Sequence, residues 1–189
     1  MGSAASADQA RGMTKLAAIV APALMLGYGL CRMADGFDGY RGNGVAWDIG
    51  HVAFFIAFVL FGFLAVGLRT WERRPRVLID VATAATLFGI ACFLWVIIGD
   101  LFDAWPSLPD ALETVGPLLY QVGSLVVLIR LVVARRLPWW TPVLVLIGFG
   151  SIAVSLDLLP IASVLVGAGL APIAVRRPER SAVAAGTTQ

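Results

Sequence analysis

The stretch Ala46–Phe63, "AWDIGHVAFFIAFVLFGF", decides how the rest of the chain is read. It opens on two ionisable residues, Asp48 and His51, and then carries no charge until Arg69. The apolar residues run continuously instead of alternating, which fits a helix and not one strand of a β-barrel. Hydrocarbon offers no water to the backbone, and a helix satisfies every interior donor and acceptor within its own segment. Ile49 to Leu68 supplies the roughly 20 apolar residues that a crossing needs.

Runs of this kind recur along the chain. Of 189 residues, 59% are hydrophobic and 14% charged, whereas soluble domains have an apolar share of roughly 45–50%. The expected fold is all-α, a polytopic integral membrane bundle of about six transmembrane helices. The expected spans are Leu16–Met33, Ile49–Leu68, Val77–Phe102, Val115–Val133, Trp140–Leu156 and Leu158–Val175. Only "DLLP", Asp157–Pro160, separates the last two, which leaves either two full crossings or a re-entrant pair. A transmembrane domain at 13–177 is then flanked by short tails at 1–12 and 178–189. The first run reads as a true span, because "LGYGLCRMADG" lacks a small-x-small cleavage pattern.

Charge orients the bundle. With both termini in the cytoplasm, every basic residue except Arg32 and Arg41 falls on the inner side, an arrangement that follows the positive-inside rule. Asp35, Asp38, Asp48, Asp100, Asp103, Asp110, Glu113 and Asp157 fall outside. Trp71, Trp139 and Trp140 then mark the inner interface, and Trp47 and Trp105 the outer one. The expected location is the plasma (inner) membrane.

A punctuation recurs at the inner ends: Arg73–Pro75, Arg135–Pro138 and Arg176–Pro178 each place paired arginines before a proline. Arginines complement a helix C-terminus and anionic headgroups, and the proline cannot continue the helix. Gly89, Gly123 and Gly148, and the prolines Pro22 and Pro172, lie inside apolar runs, where small residues let helices approach closely. Cys31 and Cys92 differ in depth by roughly 15 Å at 1.5 Å per residue, so no disulfide is expected between them.

Ionisable groups within spans carry the functional expectations. Asp80 and Arg130 are matched in depth near the inner ends of the third and fourth helices, and are expected to form a structural ion pair. On the outer side, Asp100 and Asp103 share a helix face at i and i+3, as do Asp48 and His51. His51 is the single histidine. Tyr120 and Gln121 begin about one turn inside the outer end of the fourth helix, near the depth of His51. A shallow outer pocket is therefore expected, with His51, Asp100 and Asp103 as candidate catalytic residues and Asp48, Tyr120 and Gln121 as candidate binding residues. Asp48 also has a purely structural reading as the N-cap of a helix beginning at Ile49.

Three function classes fit these residues. The first is a small accessory or scaffold protein that interacts with membrane lipids or with a membrane protein partner. The second is a membrane-embedded enzyme that uses Asp100 or Asp103 as acid and His51 as base on a lipid-like or isoprenoid substrate. The third is a proton- or solute-coupled transporter, for which the apolar centre of the third helix, "TLFGIACFLWVII", supplies no relay. No HExxH, HxxxH or CxxC motif points to a metal, and the cofactor, if any, is unknown from the sequence. Basic residues scattered over short loops do not form a nucleic-acid footprint, so no nucleic-acid partner is expected.

Overall fold

A computed structural model describes residues 2–36, 44–71 and 77–175. Among these are the α-helices α1 (Gly2–Ala34), α2 (Val45–Arg69), α3 (Val77–Leu101), α4 (Asp110–Val133), α5 (Trp140–Val154) and α6 (Leu159–Val175). A 3₁₀ turn at Leu156–Leu158 leads into α6, and no strand occurs among the described residues. The protein is an all-helical bundle with five segments long and apolar enough to cross a membrane: Asp8–Ala34, Val45–Arg69, Val77–Leu101, Asp110–Val133 and Leu156–Val175. It is a multi-pass membrane protein.

The fifth expected span is the one that differs in kind. Helix α5 has 15 residues, a rise of about 22 Å against a hydrocarbon core of about 30 Å. It stops because Ser155 turns extended, at φ −157 and ψ 131, and its hydroxyl accepts the Asp157 amide at 3.2 Å. Helix α5 then lies antiparallel on α6: a Cβ at Gly148 would stand 2.7 Å from Val166 Cγ2, and one at Gly169 3.0 Å from Val145 Cγ2.

Three helices, α1, α2 and α4, start earlier than the apolar runs suggest. Helix α1 is helical from Gly2, so residues 2–12 continue the helix of the first span. The tail expected at 178–189, the motifs at 73–75 and 176–178, and the residues Asp38 and Arg41 lie outside the described residues. Helix α4 begins at Asp110, with Pro109 at its cap and Asp110 and Glu113 in the first turn. Acidic residues there complement the positive end of the helix dipole. Helix α2 begins at Val45, and the cap position belongs to Gly44, at φ 111. The expected cap role of Asp48 is therefore corrected: Asp48 is an exposed first-turn residue with no side-chain capping bond.

The helices close into a ring in which α1 packs on α2 and α6, α2 on α3, α3 on α4, and α5 on α6, while the α4–α5 seam is the thinnest. Its core is one continuous cluster that includes Met25, Phe58, Ile79, Leu131, Val166 and Ile173. Between α3 and α4 the backbones nearly touch. A Cβ at Gly123 would stand 2.5 Å from both Ala82 O and Thr86 Oγ1, so glycine is required there. Four hydroxyls are satisfied within their own helices, Thr14 donating to Ala10 O, Thr83 to Ile79 O, Thr86 to Ala82 O and Ser163 to Leu159 O, whereas the buried Thr141 hydroxyl has no hydrogen-bond partner among the described residues. This four-residue back-bonding is how a helix carries a hydroxyl where no water reaches.

The end of α4 is unusual. Arg135 takes a left-handed conformation at φ 56, and the Arg136 amide reaches back to Leu131 O at 2.8 Å. This is a Schellman stop with arginine at the position where glycine is the usual choice.

Candidate functional site

The polar side chains expected at one end of the bundle divide into two groups. His51 is buried, with 2% of its side chain exposed. Its Nδ1 lies 2.9 Å from the carbonyl oxygen of Trp47, one turn earlier on α2. A carbonyl only accepts, so Nδ1 carries the hydrogen and, in the neutral ring, Nε2 offers a lone pair. Tyr28 of α1 fills that role from the other side, its hydroxyl 3.3 Å from Nε2.

Asp100, near the end of α3, places Oδ2 3.7 Å from His51 Nε2, an ionic-contact distance beyond hydrogen-bond length. Its backbone carbonyl accepts from the Trp47 indole at 3.1 Å. Trp47 and His51 stack at 4.1 Å between centroids. Beside them Arg32 of α1 pairs with Asp157 of the 3₁₀ turn at 3.3 Å. Four elements are thus tied at one end: α1 by Tyr28 and Arg32, α2 by Trp47 and His51, α3 by Asp100, and the start of α6 through Asp157.

The expected pocket is only partly assembled. His51 and Asp100 do meet, but Asp103 and Asp48 are exposed. Tyr120 lies elsewhere, at the far end of a ladder of rings. The ladder runs from His51 to Tyr28 at 4.9 Å, to Phe54 at 4.4 Å, to Phe58 at 4.9 Å and to Tyr120 at 5.6 Å. There Tyr120 packs against Phe93 and Phe149. It borders a half-open cavity of about 40 Å³ between α2, α3, α4, α5 and α6, together with Phe61, Thr86, Ser124, Val145 and Leu170. Gln121 Nε2 is buried and has no hydrogen-bond partner among the described residues. The candidate binding residues Tyr120 and Gln121 therefore belong to the bundle interior and not to the His51 cluster.

At the opposite end, Asp80 accepts from Arg69 Nε at 2.6 Å across the α2–α3 connection. Arg69 is thus one partner of Asp80, the residue expected from the sequence to pair with Arg130. Among the described residues, no three of His, Cys, Asp or Glu converge as a metal site.

Sequence reading missed Tyr28, Arg32 and the buried position of Trp47. Tyr28 did carry a signal: it is a lone phenol between Gly27 and Gly29 in the first apolar run. A hydroxyl in such a run needs a partner from another helix. Comparison of the chain with protein-family models, with curated proteins and with solved structures gave no match.

Proposed function

We propose that this chain is a small multi-pass accessory protein of the plasma membrane, working through its lipid- and partner-facing surface and not by acid–base chemistry. The observation that carries this reading is the saturation of His51. Both ring nitrogens are engaged, and 2% of the side chain is exposed. A general base must present a lone pair within about 3 Å of a substrate proton, and here that lone pair points at Tyr28. The histidine acts as a tie between helices.

The outward surface supports the same reading. Ile19, Phe63, Leu118, Val122 and Ile161 are exposed on four helices and form an apolar exterior suited to lipid. Lys15, Arg69, Arg130, Arg135 and Arg136 occupy one end of the bundle, and Asp100, Asp103 and Asp157 the other. The positive-inside rule then places both termini in the cytoplasm.

The test compares wild type with Asp100→Asn and His51→Gln, matched for membrane abundance, by lipid and isoprenoid profiling of the host membrane. The accessory reading expects identical profiles. A product that wild type forms and that Asp100→Asn abolishes at equal abundance would replace it with the enzyme reading.

A further inference from the structure

Between α1 and α6 runs a groove of about 410 Å³, bordered by Ile19, Pro22 and Leu26 on α1 and by Ser163, Gly167 and Ala171 on α6. Its α6 wall carries the small residues Ser163, Gly167 and Ala171 at i, i+4 and i+8, flanked by Val164, Ala174 and Val175. Its one wall hydroxyl, Ser163, is already spent on Leu159 O at 2.7 Å. The groove therefore makes no polar demand on an occupant along its length.

Its end is different. Counting back along α1 from Leu26 through Pro22 and Ile19, the same face continues to Lys15 and Arg11 at steps of three or four residues. Lys15 is half-buried and Arg11 exposed. An apolar channel roughly along the helix axes thus ends in two cations one and two turns beyond it.

We propose that this groove holds one anionic phospholipid, with an acyl chain along Pro22 and Gly167 and its phosphate at Lys15 and Arg11. Each basic side chain near a headgroup phosphate adds attraction, while the channel accepts the chain by shape. A second copy of the protein is the competing occupant, and the same charges disfavour it. A two-fold axis along the membrane normal would bring both copies of Lys15 and Arg11 to one depth, facing each other. Two facing grooves would also leave each other unfilled. This inference rests on the lipid-interacting reading above, although that reading's exclusion of catalysis stands on His51 alone.

The experiment uses the full chain, purified in detergent, exchanged into equal amounts of phosphatidylglycerol and phosphatidylcholine, and examined by native mass spectrometry. Wild type is expected to retain one phosphatidylglycerol in preference to phosphatidylcholine. A Cβ at Gly167 would meet Pro22 Cβ at 3.4 Å, an ordinary contact, so a larger side chain there enters the groove itself. Gly167→Leu should lower retention of both lipids about tenfold. The exposed-end double variant Arg11→Gln with Lys15→Gln leaves the core untouched; it should keep chain occupancy but lose the preference for the anionic lipid. Equal retention of the two lipids by wild type would overturn the proposal, as would a preference that survives both sets of substitutions. Self-crosslinking of Ile19→Cys in native membranes would overturn it in favour of a second copy. Any of these failures leaves the profiling test at Asp100 and His51 unaffected.

Discussion

The Tyr28 hydroxyl meets His51 Nε2 at 3.3 Å and joins α1 to α2 where almost no side-chain surface is exposed. Because Trp47 O takes the Nδ1 hydrogen, the tyrosine is the donor to the neutral ring. Tyr28→Phe removes one buried hydrogen bond and keeps the ring that stacks on Phe54 at 4.4 Å. The expected loss is about 1 kcal/mol, a melting-temperature drop of about 2–4 °C for a chain of this size.

His51→Ala should cost more than Tyr28→Phe, since it also opens a cavity against Trp47 and leaves the Tyr28 hydroxyl without its acceptor. A loss of about 3 kcal/mol is expected. In the double variant the two effects should fall short of their sum by about 1 kcal/mol, the signature of residues in contact. Strict additivity in detergent thermal melts would mean that the tyrosine and histidine act independently.

The fold was legible because a bilayer imposes a coarse rule that runs of apolar residues state directly: Ile49–Leu68 and Val77–Phe102 fall within α2 and within one residue of α3. The site was less legible, for a geometric reason. Helix α4 starts at Asp110 and not Val115, so Tyr120 lies ten residues in, about 15 Å along the axis instead of one turn. That error in one boundary moved Tyr120 from a shared pocket into the aromatic core beside Phe93 and Phe149. Rotation mattered as well. Asp100 and Asp103 share a helix face on paper, but α3 ends at Leu101 and only Asp100 remains on it to meet His51. Which helices adjoin is not written in a one-dimensional pattern, and Tyr28 was missed for that reason.

The α3–α4 seam should be the most sensitive place to added volume. Gly123→Leu drives a side chain into Ala82 O and Thr86, both backbone-anchored, so the helices must separate. Overpacking of this kind costs about 1–3 kcal/mol or more. The expected outcome is a clear fall in folded protein, by size-exclusion profile and melting temperature. The same substitution at Gly27, where a Cβ meets nothing within 4 Å, should leave both nearly unchanged.

The Arg69–Asp80 pair should matter little despite its 2.6 Å geometry, because both side chains are substantially exposed, at 48% and 37%. Pairs of this kind contribute little, because water screens the charges and holding two long side chains in one geometry costs entropy. Arg69→Ala and Asp80→Ala are each expected to shift the melting temperature by less than Tyr28→Phe does. A larger shift from either would assign this end of α2 and α3 a structural role beyond a surface ion pair.

Arg135 offers a gain instead of a loss. It sits at φ 56, where a Cβ crowds the following carbonyl at a cost of about 1–2 kcal/mol, and it closes the Schellman turn that ends α4. Glycine adopts this conformation freely but has more chain entropy to lose on folding, which offsets part of the relief. Arg135→Gly should therefore stabilise the protein by about 0.5–1 kcal/mol, raising the melting temperature by a few degrees. Arg135→Ala keeps the Cβ while removing the same charge, so it separates the backbone effect from the electrostatic one. Stabilisation by glycine and not by alanine is the expected pattern. Equal effects from the two would trace the change to the lost charge at this end of the bundle.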